Sequence, residues 1–239
     1  MKKNLYTIII ILMGVFFCSC EADEPKQEAK LNLTKVKCYS SDETLLTVEN
    51  SKGNIEWKIE NPLVATIEPS GNSCVVTGKY VGKTNVKANN LICEIEVAPK
   101  YTNFKEPYLK FNNTPSQVHS YMSWATLEED SKTQKIYHDK AKNILYAYSF
   151  ENNKLTQSTF MMLITDASYA VDYLLERYIP VTQSSSSTYG CINPEQNMLI
   201  VIDISNYLLV TYKEYTPSKS NDVVSILNEM HENIKNLNF

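Results

Sequence analysis

The 239-residue chain is 43% hydrophobic and 21% charged, with a formal net charge of −4. That composition supplies apolar material for one large core or two smaller ones and excludes a wholly disordered chain. The negative balance argues against nucleic acid as a partner, because phosphate neutralisation needs a basic surface, and only 6 glycines argue against a glycine-rich phosphate cradle.

Lys2 and Lys3 precede an apolar run from Leu5 to Phe17 that is too short to cross a bilayer but has the size of a secretory core. The spacing predicts a signal peptide over 1–19 and an acidic tether over 20–30. Phe17-Cys18-Ser19-Cys20 resembles the lipobox of bacterial lipoproteins, with Ser19 as the small residue before the cysteine and Phe17 departing from the usual Leu. The resemblance implies that Cys20 becomes the lipid anchor, so the expected partner at this end is a membrane. Glu21, Asp23 and Glu24 resemble the export tag of lipoproteins carried to the outer face of the outer membrane, which implies a surface-exposed outer-membrane protein. An ordinary signal peptide followed by a solvated acidic linker is the alternative. Removal of 1–19 deletes Lys2 and Lys3 and deepens the net charge to −6.

Residues 31–98 read as an all-β module. Seven short β-branched runs (31–36, 44–48, 55–59, 64–67, 74–77, 84–88 and 91–97) are separated by turn signals, and four glycines fall in or beside the gaps. Ile55-Glu-Trp-Lys-Ile59, Asn61-Pro-Leu-Val-Ala-Thr-Ile67, Val76-Thr-Gly78 and Gly82-Lys-Thr-Asn-Val86 occur in that order. In this the stretch resembles the group 2 bacterial Ig-like domain of invasin- and intimin-type adhesins. Ser73-Cys74 departs from the family pattern. The resemblance implies a sandwich with Trp57 in its core, serving as a spacer at a cell surface. Pairing of its first and last strands would bring Cys38 and Cys93 together as a disulfide. Isolated buried thiols are the other reading.

From residue 107 the pattern changes. Lys142–Leu155 and Gln196–Leu209 match at an offset of 54, sharing Asn143/Asn197, Leu145/Leu199, Asn152/Asn206 and Leu155/Leu209. Ile144, Tyr146, Tyr148 and Phe150 alternate on one face of a strand, as do Met198, Ile200, Ile202 and Ile204. Each copy reads as a hairpin turning near Asn152-Asn153 or Asn206-Tyr207. A further strand precedes each hairpin, near 135–138 and 188–192. A helix precedes each strand: one from the Thr114-Pro115-Ser116-Gln117 capping pattern, the other behind Asp166 as N-cap and stopped by Pro180. Val223, Ile226, Leu227, Met230, Ile234 and Leu237 mark a closing helix that packs on a core. The expected fold is mixed: an all-β Ig-like sandwich over 31–98, followed over 107–239 by an α+β domain of two helix-plus-three-strand repeats and a C-terminal helix. The tandem layout, entered through Phe111–Val118, resembles β-lactamase-inhibitor-protein-type folds and outer-membrane assembly lipoproteins. It implies protein binding without catalysis.

No catalytic, metal or cofactor constellation stands out. His119, His138 and His231 lack partners at metal-ligand spacing, and no GxSxG elbow is present. Ser184–Ser187 reads as a loop and Glu128-Glu129-Asp130 as a solvated acidic run. Of 16 tyrosines, thirteen lie from Tyr101 onward. Tyr146 and Tyr148 share the core phase, whereas Tyr189 and Tyr207 sit near loops and are the candidate ligand-binding residues. The expected function is non-enzymatic: an Ig-like stalk presenting a distal domain that recognises glycan or protein in adhesion. A structural or assembly accessory of the envelope is the alternative, and a hydrolase with an unusual site the remote one. A glycan site predicts a flat aromatic platform, an accessory an apolar patch, and an enzyme a concave pocket with convergent titratable groups.

Overall fold

The computed structural model describes residues 27–183 and 186–216. The signal peptide, Cys20 and the closing helix expected behind Asn221 lie outside these residues.

The described residues are mostly β. Their first half is a two-sheet sandwich of eight strands: β1 (Lys30–Leu31), β2 (Lys35–Cys38), β3 (Glu43–Glu49), β4 (Trp57–Ile59), β5 (Ala65–Ser70), β6 (Ser73–Gly78), β7 (Gly82–Ala88) and β8 (Leu91–Val97). One sheet runs β1-β3-β6-β5 and the other β2-β8-β7-β4. Alternation places Leu46, Val48, Cys74 and Val76 from one sheet against Val86, Cys93 and Ile95 from the other, all essentially without exposure. Trp57 is buried with them and donates its indole N–H to the Gly71 carbonyl at 3.2 Å. The outward phase of β2, β7 and β8 carries ion pairs, Lys35–Glu94, Lys37–Glu96 and Lys83–Glu96, each at 3.5 Å. They keep this face solvated more than they stabilise it.

The first and last long strands do pair, but the register separates the two cysteines. β2 runs parallel to β8 with Cys38 opposite Val97, whereas Cys93 lies opposite Val86 in β7. Four residues of strand, about 13 Å, therefore separate Cys93 from the position facing Cys38. A disulfide spans at most about 7 Å between Cα atoms, and Cys38, Cys74, Cys93 and Cys191 are all free buried thiols.

Among the described residues the second half is one eight-stranded antiparallel sheet with two short helices. Helix α1 (Pro115–Tyr121) is followed by β9 (Thr126–Asp130), β10 (Gln134–Asp139), β11 (Ile144–Glu151) and β12 (Lys154–Leu163). Helix α2 (Ser168–Leu175) is followed by β13 (Ile179–Gln183), β14 (Thr188–Ile192), β15 (Met198–Ile204) and β16 (Tyr207–Glu214). The strand order is β13-β14-β15-β16-β12-β11-β10-β9. Four strands, not three, thus follow each helix. The additional ones, β9 and β13, are the sheet's two edges. Edge strands do not need an apolar phase, and these have none: Thr-Leu-Glu-Glu-Asp and Ile-Pro-Val-Thr-Gln are mostly exposed.

The cap at α1 forms as read, with the Thr114 N–H donating to Gln117 Oε1 at 2.9 Å. At α2 it differs. Asp166 lies in a 3₁₀ turn, Ala167 takes the N-cap position, and the helix ends at Leu175, so Pro180 falls in β13. Asn152 and Asn153 both adopt positive φ, as a type I′ hairpin turn requires, whereas the corresponding Ser205-Asn206 turn does not use it. Both helices pack on one face of the sheet, and a strap of residues 104–111 runs between them. Phe104, on this strap, packs its ring tilted against Phe160 of β12 at 4.7 Å and edge-on against Tyr173 of α2 at 5.0 Å. The strap is pinned by the Tyr146 hydroxyl donating to the Lys105 carbonyl (2.8 Å) and by the Tyr108 N–H donating to the Tyr148 hydroxyl (3.1 Å).

Candidate functional site

The strap fills the angle between the two helices, but no described segment fills the outer side of α2. There the helix turns Val171, Leu174 and Leu175 towards strands β14 and β15, whose same-face residues include Tyr189, Cys191 and Ile202. Tyr178 and Pro180 lie beyond the helix end, and Ile204 and Leu208 line the opposite side. The result is an open apolar groove of about 280 Å³. Leu175 is 63% exposed on its rim and Ile204 36%. Ligand sites are typically about 300–1,000 Å³, so the groove has room for one or two apolar side chains. The outer side of α1 is different in kind. Ser116, His119 and Ser120 face Lys135, which is ion-paired to Asp130, and the His119 ring meets the Tyr137 hydroxyl at 3.1 Å.

The groove's titratable groups are a thiol and two phenols. Burial pushes the Cys191 thiol up to about 12 and holds the Tyr178 phenol above its ordinary value. At neutral pH the Cys191 thiol and the Tyr178 phenol both keep their protons, and the lining presents mainly apolar surface.

Polar chemistry is concentrated behind the groove, under the strap. The Glu106 carboxyl group points inward and accepts a hydrogen bond from the Tyr178 hydroxyl. Tyr173 and Tyr212 face it, Tyr121 donates to the Glu106 carbonyl at 3.1 Å, and Arg177 lies close by, stacked 3.6 Å over the Tyr173 ring. Desolvation is the dominant effect and raises the Glu106 carboxyl above the usual glutamate range, outweighing Tyr178, Tyr173, Arg177 and Tyr212, which all favour its ionised form. Among the described residues the buried Tyr212 hydroxyl has no hydrogen-bond partner within normal reach.

The consequence for stability has a definite sign. An acid raised in the fold keeps its proton at pH values where the unfolded chain has released it. Its contribution therefore declines as pH rises from the unfolded glutamate pKa towards the folded one. Glu106→Gln cannot titrate. Its melting temperature, relative to the unaltered protein, is expected to rise between about pH 4 and pH 8. A difference that stays flat across this range contradicts the assignment.

The structure separates the two tyrosines singled out in the sequence. Tyr189 lines the groove. Tyr207 is exposed at the start of β16 opposite Leu163, and because Leu208 faces the groove, Tyr207 lies on the other face of the sheet. Most of the tyrosine excess is interior: Tyr137, Tyr146, Tyr148 and Tyr212 have no exposed surface, and Tyr173 and Tyr178 almost none. Among the described residues no flat aromatic platform forms. In the sequence Val171 and Leu175 read only as part of a helical apolar stripe, and Ile202 and Ile204 only as the packed phase of a strand. The available signal was the width of the α2 stripe, in which Ala170, Val171, Leu174 and Leu175 cover more of the helix than one packed side needs.

A scan against protein-family models finds no match, and no curated protein is significantly similar in sequence. The likeness of residues 31–98 to bacterial Ig-like domains therefore rests on the motif residues themselves.

Proposed function

We propose that this chain is a lipid-anchored envelope protein whose distal domain binds a protein partner by taking an apolar or aromatic side chain into the α2 groove. The observation that carries the reading is the groove itself: a concave, mainly apolar surface with an exposed rim. Exposed Leu175 and Ile204 on its rim support a protein surface as the ligand in preference to a glycan, which favours flat aromatic platforms. In this reading the protein is not an enzyme. The Ig-like sandwich acts as a spacer, and adhesion and envelope assembly are both uses of the same apolar capture.

The distal domain fits a tandem duplication at the offset of 54. Ser158 of β12 maps onto Tyr212 of β16 under that offset, and these two residues face each other across the β12–β16 pair. A local two-fold axis between the halves requires that coincidence.

Anchoring through Cys20 and outer-membrane, outward-facing localisation are supported by the Ser19-Cys20 junction and the acidic residues after it. Cys20→Ala is expected to abolish incorporation of labelled fatty acid; continued labelling contradicts the anchor. The groove reading is tested by selecting displayed peptides against the intact mature protein. Enriched sequences are expected to share a Phe, Trp, Leu or Ile. Failure to enrich any, or enrichment of polar sequences alone, contradicts it.

A further inference from the structure

The sheet of the distal domain has a second face, opposite the strap and both helices. Gly190, Val201, Thr211, Thr159, Ala147 and Ile136 lie directly across from one another on six consecutive strands of that face. They are buried: Val201 is 1% exposed, Thr211 0%, Thr159 1% and Ala147 2%, and Leu199 in the neighbouring row is 0%. A sheet face turned to water does not look like this. The helices and strap all belong to the core on the other side. The described apolar neighbours of Leu199 and Val201 are Ile192, Leu209 and Tyr215, which are on the sheet or at the end of its last strand. The sandwich meets the distal domain elsewhere, at Asn61–Pro194 and Val81–Glu176.

We propose that this face is covered by the chain's own C-terminal segment, residues 221–239, laid across the strands. β16 ends at Glu214 in the middle of the sheet, and 25 residues follow it. Val223, Ile226, Leu227, Met230, Ile234 and Leu237 recur at helical spacing, a stripe that needs an apolar partner. From 223 to 237 a helix extends about 22 Å, and six strands span about 24 Å. The intervening residues 215–221 reach up to about 23 Å when extended, enough to turn from the strand end onto the face. The floor suits a helix, because the small side chains of Gly190, Thr211, Thr159 and Ala147 let it seat closely between the larger Leu199 and Leu209. The segment is then a strap on the sheet and not a free helix for partners.

The test uses the full chain carrying Thr159→Cys, labelled with iodoacetamide and read residue by residue by mass spectrometry. The thiol introduced by Thr159→Cys is expected to react at least 100-fold more slowly than an exposed thiol in the monomer, and to become reactive when Leu227→Glu and Met230→Glu are added. Rapid labelling in the monomer overturns the proposal. So does protection that survives the two charges, or protection found only where the chain is dimeric, which would make a second copy the occupant. Should the charged variant fail to fold, a photocrosslinking residue at exposed Leu163, on the rim of the same face, decides. Crosslinks into 221–239 of the same chain are expected, and crosslinks to another chain or to none of these residues overturn it. The groove lies on the other side of the sheet, so its test and this one fail independently.

Discussion

Phe160→Ala is expected to destabilise the distal domain by about 3–5 kcal/mol, the range for removing a fully buried aromatic ring. Phe160 has no exposed surface and sits where the strap, the sheet and α2 converge. Its ring packs tilted against Phe104 at 4.7 Å and lies 6.5 Å from Tyr146 and 6.4 Å from Tyr212. Truncation opens a cavity that these rings cannot close, because hydroxyl bonds to the strap backbone fix Tyr146 and Phe104 belongs to the strap itself. The chain has 2 tryptophans, Trp57 in the sandwich and Trp124 in the distal domain. Urea denaturation followed through Trp124 in a Trp57→Phe background reads the distal domain alone. A loss under about 1 kcal/mol would mean that the strap is not seated as described.

Glu176→Ala is expected to be comparably costly and to act on the junction between the two domains. Glu176 is 8% exposed and follows the last turn of α2. Its carboxylate accepts the Lys100 N–H at 2.8 Å and the Tyr101 N–H at 3.1 Å while pairing with Arg177. Its carbonyl accepts the Val81 N–H from the sandwich at 2.9 Å. Alanine leaves two linker amides unsatisfied and Arg177, only 13% exposed, without its counter-charge. Breaking one side of a buried ion pair costs about 3–5 kcal/mol. Arg177 keeps its stacking on Tyr173 and its bonds to the Tyr173 and Tyr101 carbonyls, which places the loss towards the lower end. Amide exchange at Lys100 and Tyr101 is expected to accelerate strongly, and proteolysis is expected to begin near 99–103. Glu176→Gln keeps an acceptor and recovers part of the loss. Unchanged exchange at both amides in Glu176→Ala contradicts the latch.

The sequence was most informative where burial imposes a period. Ile144, Tyr146, Tyr148 and Phe150, and likewise Met198, Ile200 and Ile202, occupy the face that their alternation assigns, because one face of the sheet is packed and a one-residue slip would expose the whole set. The edge strands β9 and β13 were not legible, since partial pairing and exposure leave no periodic constraint on their residues. The cysteine pairing was not legible either: that β2 lies beside β8 does not fix the register, and the register decides whether the Cβ atoms approach. The groove was hidden for another reason. A stripe such as Val171, Leu174 and Leu175 reports that apolar surface exists, not whether the opposing volume is filled. Filling is decided by the strap, 64 residues earlier in the chain, which passes on the inner side of α2 and leaves the outer side uncovered by the described residues. Tyr189 could be placed near the site because it adjoins a loop, but the same reasoning chose Tyr207, which alternation sends to the far face.

Leu175→Glu tests apolar capture in the α2 groove most directly. Leu175 is 63% exposed at the rim of the groove, so a charge there is tolerated by the fold yet stands at the mouth of the site. Leu45→Glu, at the 56%-exposed leucine of the sandwich, is the control for a charge placed on an unrelated apolar spot. Affinity for a peptide selected on the unaltered protein, measured by calorimetry, is expected to fall at least tenfold in Leu175→Glu, with the melting temperature and the Leu45→Glu affinity unchanged. Equal affinity in Leu175→Glu and the unaltered protein, or an equal loss in Leu45→Glu, would contradict the assignment of the groove.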